Sequence, residues 1–99
     1  MDKENIIKFF QENKTNFLEN YKIERMLLFG SYAQGKADKS SDVDIIYNTT
    51  GDSKLSFREY SDLLYFIEDS LGKKVDLINI KNLNPVIFLD AKNQIVPLI

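Results

Sequence analysis

The sequence predicts a small layered α/β (α+β) domain, in which helices flank a small mixed sheet of about three strands in the order α-β-α-β-α-β-α. Three observations lead there: an amphipathic N-terminal stretch, three apolar runs of strand length, and a sharply capped helix between the second and third runs. The 99 residues are 43% hydrophobic and 28% charged, an ordinary globular balance with room for one domain, 1–99. A chain of this length buries only a limited core, so modest stability alone, helped by a partner, is expected.

From Asp2 to Leu18 the pattern is one amphipathic helix. Ile6, Ile7, Phe10 and Phe17 recur at helical spacing, and Lys8, Gln11, Glu12 and Lys14 fill the opposite face. Ile23 to Phe29 follows, with the continuous apolar core Met26-Leu27-Leu28-Phe29 of a strand covered on both faces. Ser31 to Ser41 is polar and reads as a short helix and a loop. Asp42 to Tyr47 is a second strand, and Asn48 to Lys54 a turn cluster. Ser56 and Glu59 then form a capping box, Leu55 and Tyr60 occupy the positions of a hydrophobic staple, and Gly72 ends the helix. Between these caps Tyr60, Leu63, Leu64, Ile67 and Leu71 line one face. Lys73 to Ile80 is the third strand. Asn84-Pro85 starts a last short helix, with asparagine as N-cap and proline in the first position. The tail, Gln94 to Ile99, is apolar and interrupted by Pro97.

Composition narrows the chemistry. With no cysteine, disulfides and thiolate metal sites are excluded and a reducing compartment fits. With no histidine, the usual general base and zinc ligand are missing, so a metal would be a hard cation held by oxygen. The net charge of −2 lacks the basic footprint of a protein that grips long nucleic acid. No apolar run approaches the ~20 residues of a membrane span. The start, MDKENIIKFF, is too polar for a signal peptide, so a cytoplasmic protein without membrane partners is expected.

The informative segment is Gly30-Ser31-Tyr32-Ala33-Gln34-Gly35 followed by Asp42-Val43-Asp44. On a strand, residues i and i+2 share a face with Cα atoms roughly 6.5–7 Å apart, so both carboxylates reach toward a common point. Ions in a two-metal site lie ~3.5–4 Å apart, within reach of such a pair. Asp76 is the third candidate. Asp42, Asp44 and Ile46 share one parity, as do Asp76, Ile78 and Ile80, and in both strands the acidic residues come first. This places all three carboxylates at one end of the sheet. Gathered there they repel, and a triphosphate adds to the repulsion unless magnesium compensates. Gly30 lets the backbone approach a ligand, and the Ser31 hydroxyl and the helix start after it offer donors to phosphate. No GxxxxGK[ST] phosphate loop is present.

Singly, each feature has an ordinary explanation: Gly-Ser after a strand is a turn, Asp-x-Asp a solvated edge, Asp76 a surface residue. Tyr32 could stack on a base or pack beside its helix. Together, Gly30-Ser31, ten intervening residues, Asp42-x-Asp44 and a same-parity Asp76 in the next strand resemble the signature of the DNA polymerase β-type nucleotidyltransferase superfamily. Within it the chain is most similar to the minimal nucleotidyltransferase (MNT) family, from Arg25 to about Lys92. That resemblance implies the nucleotidyltransferase fold. It implies Asp42 and Asp44 as ligands of two Mg²⁺ ions, and Asp76 as the third carboxylate, helping to activate the attacking hydroxyl. Gly30 and Ser31 would bind the β- and γ-phosphates of ATP. Many members carry arginine where this chain has Gln34; Lys36 is the available substitute.

The reaction implied is in-line displacement at the α-phosphate, with Asp76 taking the proton in place of the missing histidine. The resemblance also supplies an acceptor. MNT proteins accompany HEPN-domain toxins and, as antitoxins, transfer AMP to a tyrosine of that partner. Two alternatives are a binding-only antitoxin that occludes its partner, and transfer to a small molecule such as an antibiotic. The apolar tail Ile95-Val96-Pro97-Leu98-Ile99 is either a docking surface or packs on this domain's own helices.

Overall fold

The computed structural model describes residues 2–86 and 94–99. Two helices open the chain, α1 (Lys3–Glu12) and α2 (Lys14–Tyr21), followed by β1 (Ile23–Phe29), the short α3 (Gly30–Gln34) and β2 (Val43–Thr49). The long α4 (Phe57–Leu71), β3 (Val75–Asn79), one 3-10 turn (Ile80–Asn82) and β4 (Val96–Pro97) complete the described elements.

The expected N-terminal helix is two helices. Asn13 leaves helical geometry at φ −106°, ψ 11°, and its side-chain amide donates to the Phe9 carbonyl at 2.8 Å, closing α1 from outside the backbone pattern. The apolar periodicity nonetheless continues across the break. Phe10 and Phe17 meet at 5.4 Å between ring centroids, and Phe9 packs on Phe66 of α4 at 5.8 Å. At α4 the capping box forms as its residues predict: Glu59 N–H donates to Ser56 Oγ at 3.1 Å, and Ser56 N–H to Glu59 Oε1 at 2.9 Å. Gly72 ends that helix in the left-handed region at φ +66°. At Asn84, the side chain accepts from Val86 N–H at 2.9 Å, and Pro85 and Val86 are helical; the rest of the expected last helix lies outside the described residues.

The sheet has four strands, in the order β3-β2-β1-β4, instead of about three. β1 runs antiparallel to β2 and β4, whereas β2 and β3 are parallel, so the sheet is mixed. The fourth strand is the apolar tail. Val96 and Pro97 pair with Leu28 and Leu27, and Leu98 N–H donates to Met26 O at 2.8 Å. Gln11 of α1 donates its side-chain amide to Leu98 O. Pro97 fits because an edge strand needs only one set of ladder bonds. The tail thus joins this chain's own sheet: Leu98 is fully buried, and Val96 and Ile99 pack against the core.

One face of the sheet carries the core. Met26 and Leu28 of β1, Val43, Ile45 and Tyr47 of β2, and Val75 and Leu77 of β3 pack with Ile6, Phe10, Phe17, Leu63 and Ile67 of the helices. The alternate positions, Asp44, Ile46 and Asn48 on β2 with Asp76 and Ile78 on β3, face the other way. No described helix is long and apolar enough to cross a membrane.

Because Leu98 is buried through a two-residue strand, Leu98→Ala is expected to cost about 2–5 kcal/mol in urea unfolding. A loss below about 1 kcal/mol would mean that the tail contributes little to the fold.

Candidate active site

Two strand pairings build the site. Phe29, the last residue of β1, lies opposite Asp44, so the chain must leave the sheet beside that carboxylate. It does so through Gly30 at φ +75°, a conformation that side chains with a Cβ adopt only with strain. A Cβ on Gly30 would also fall inside van der Waals contact of Asp44 Oδ2 and 3.1 Å from its Cγ. Glycine is therefore required twice over, by backbone conformation and by the closeness of the carboxylate.

The parallel register of β2 and β3 sets Asp44 directly opposite Asp76, with Val43 opposite Val75 and Ile46 opposite Ile78. The two carboxyls come within hydrogen-bonding reach of each other. Asp44 is raised to about 6, first by partial burial, then by the hydrogen bond and charge of Asp76, and last by the charge of Asp42. Lys74 O accepts from Val43 N–H at 2.9 Å, and Glu68 Oε2 from Val75 N–H at 2.9 Å, anchoring the starts of both strands. Tyr60, which the sequence places only in the core, donates its hydroxyl to Leu77 O at 2.6 Å, beside Asp76. Aromatic periodicity signals its burial but not this bond.

Gly30, Asp44 and Asp76 are thus brought together. Asp42 lies just before β2 and is exposed; its influence on Asp44 is through charge. Among the described residues no group of three ligating side chains is already drawn together around one point. Ser31, half-buried in the first turn of α3, follows Gly30 directly, and among the described residues its hydroxyl has no hydrogen-bond partner. Tyr32 and Ala33 are buried in the core, so packing, not base stacking, accounts for Tyr32. Gln34 and Lys36 are exposed. The donor set is carboxylate oxygen only, suited to hard cations.

A strand-to-helix glycine is pressed on one carboxylate, with a second carboxylate across a parallel strand pair, an arrangement whose chemistry suits oxygen-held cations. The chain belongs to the polymerase beta nucleotidyltransferase family, whose model matches residues 4–98. It is 37% identical over 92 residues to MJ1379, a candidate protein adenylyltransferase of Methanocaldococcus jannaschii, covering 92% of each chain. It is 33% identical over 81 residues to the protein adenylyltransferase MntA of Thermococcus cleftensis, covering 76% of this chain and 74% of that one. Among solved structures, a candidate minimal nucleotidyltransferase matches with a TM-score of 0.77 at 23% identity, over 98% of this chain and 96% of that one. A chain in the complex of tri-AMPylated Shewanella oneidensis HEPN toxin with MNT antitoxin matches with a TM-score of 0.63 at 20% identity, over 94% and 71%. At such identities these two likenesses show the fold.

Gly30→Ala is expected to destabilise the chain by more than the ~1–2 kcal/mol of the left-handed conformation alone. In an Asp44→Ala background the same substitution should cost only that smaller amount, because the colliding carboxylate is gone. Equal costs in the two backgrounds, measured by urea unfolding, would show that the contact carries no energy.

A second expectation concerns pH. A carboxyl held at about 6 in the folded chain, against 3.8 ordinarily, keeps a proton in the native state that the unfolded chain has already lost. This group's contribution is therefore most favourable in acid, and it declines as pH rises from about 4 to about 6. In EDTA, the Tm of the wild-type chain should fall relative to that of Asp44→Asn across this window. A constant difference would contradict the raised carboxyl.

Proposed function

We propose that this nucleotidyltransferase transfers AMP from ATP to a hydroxyl of a protein, a tyrosine of a HEPN-domain toxin, and so acts as its antitoxin. The observation that carries the chemistry is the Gly30–Asp44–Asp76 juxtaposition, in which a backbone free of side chain lies against paired carboxylates. Support for the acceptor comes from the relatives named as protein adenylyltransferases and from the AMPylated toxin in the S. oneidensis complex.

In this reading residues 1–99 form one minimal transferase domain. Asp42, Asp44 and Asp76 hold two Mg²⁺ ions through oxygen ligands. Their fit rests on an all-carboxylate donor set in which partial burial and then the neighbouring Asp76 raise Asp44. Bound magnesium supplies neutralisation of the triphosphate and a more acidic acceptor hydroxyl. Gly30 and Ser31 hold the β- and γ-phosphates through backbone N–H groups and the Ser31 hydroxyl. The tyrosine oxygen forms a bond to the α-phosphorus as the bond to pyrophosphate breaks, and Asp76 accepts the hydroxyl proton. The protein's share is positioning and charge compensation, which suits a chain without histidine.

The test is to combine the protein with magnesium, ATP and a purified HEPN-domain protein from the same organism, and to measure intact and peptide masses. AMP on a tyrosine of the partner is expected, with Asp42→Asn and Asp44→Asn each reducing the rate about 100-fold or more while the fold is retained. A stable complex without adduct would replace this reading with occlusion. Adducts confined to small molecules would replace it with small-molecule transfer. Wild-type activity in either aspartate variant would overturn the site.

A further inference from the structure

The carboxyl ends of the parallel pair β2 and β3 hold a second polar concavity. Tyr47 and Asn79 are the last residues in register, three positions beyond Asp44 and Asp76 on each strand. The odd offset turns them to the opposite sheet face, and three residues of strand displace them by roughly 10 Å along the sheet. A cavity of about 430 Å³ opens there, lined by Tyr47, Lys54, Leu55, Asn79, Lys81 and Asn82. Its volume falls in the range of sites for small organic ligands, and it lies where open parallel sheets commonly bind them, beyond the strand ends.

The lining has a consistent polarity. It contains two lysines and no carboxylate. Among the described residues neither ammonium is paired with an acid; that of Lys81 contacts only Gly51 O, at 3.4 Å. Asn79 spends its side-chain oxygen on Lys81 N–H at 3.0 Å, which leaves its NH₂ facing the Tyr47 hydroxyl beside it. The groups offered to a ligand are thus chiefly donors: two ammoniums, the Tyr47 hydroxyl and the Asn82 amide. Two positive charges lining one cavity favour an occupant carrying two negative charges. Leu55 adds an apolar wall, and the volume exceeds what a bare anion fills.

We propose that this cavity is a second binding site, separate from the transferase carboxylates, for the phosphoryl group of a small organic phosphate monoester. Lys54 and Lys81 carry the charge recognition, and Tyr47 and Asn82 add directional hydrogen bonds.

The experiment is a titration of the full chain with ribose 5-phosphate in EDTA, followed residue by residue through backbone amide NMR shifts, with sulfate as the control anion. Saturable shifts are expected at Tyr47, Asn79, Lys81 and Asn82 and not at Ser31, Asp44 or Asp76. Affinity should be at least tenfold above that for sulfate, and at least tenfold weaker in Lys54→Ala/Lys81→Ala. Lys54→Gln/Lys81→Gln should behave like the alanine pair, keeping the test open if the latter folds poorly, and both should retain nucleotidyl transfer. No saturable shift at these amides, equal affinity for sulfate, or unchanged affinity in the neutral variants would each overturn the site.

Discussion

The passage of the chain over Asp44 is the constraint from which the rest of the site follows. β1 ends opposite Asp44, and the next residue must reverse into α3 within contact of that carboxylate. Only glycine satisfies both the positive φ and the missing space. Once Gly30 is so placed, Ser31 is beside the carboxylate, and Tyr32 and Ala33 are directed into the core, where their burial holds the turn. A position that looks like a simple strand-ending turn therefore sets the distance between the start of α3 and the Asp44 carboxylate.

The sheet register makes the same site possible from the other side. Val43, Ile45 and Tyr47 are buried in the core while Asp44 alternates with them, so a one-residue slip of β2 would bury the carboxylate and expose the core residues. β3 obeys the same alternation: Val75 and Leu77 are buried, and Asp76 lies exposed between them. The hydrophobic pattern that stabilises the sheet is thus also what puts Asp44 opposite Asp76. Packing determines the pairing, and the raised carboxyl follows first from the partial burial of Asp44 and then from Asp76 beside it.

Much of this was legible from residue order. Strand parity identified which aspartates share a face, and the Ser56/Glu59 box and Gly72 bounded α4. What was hidden had no local signal. The break at Asn13 escapes periodicity because Phe10 and Phe17 stay in contact across it. The fourth strand is two residues long and contains proline, too short to show an alternation and disfavoured by its composition; pairing with β1 and burial of Leu98 outweigh both. The double need for glycine at position 30 was half visible. Close backbone approach follows from a Gly-Ser turn, but its partner is a carboxylate fourteen positions away that only antiparallel pairing brings near.

A chain of net charge −2 keeps these acids apart from its nearby ammonium groups. The parallel pair β2 and β3 does this by direction. Both strands begin at the carboxylates, and beyond their other ends, on the opposite face, lie Lys54 and Lys81. The roughly 10 Å between the two ends is about one screening length at physiological salt, with the sheet interposed. Each end therefore keeps a local potential of its own sign. Had Lys54 or Lys81 stood beside Asp44, an internal ion pair would hold that acid ionised and lower its pull on cations. Instead Asp44 is partly buried, with Asp76 and Asp42 as its charged neighbours, and rises to about 6. The like-charged arrangement persists because the apolar register beneath it, with Val43, Ile45, Val75 and Leu77 buried, outweighs its cost.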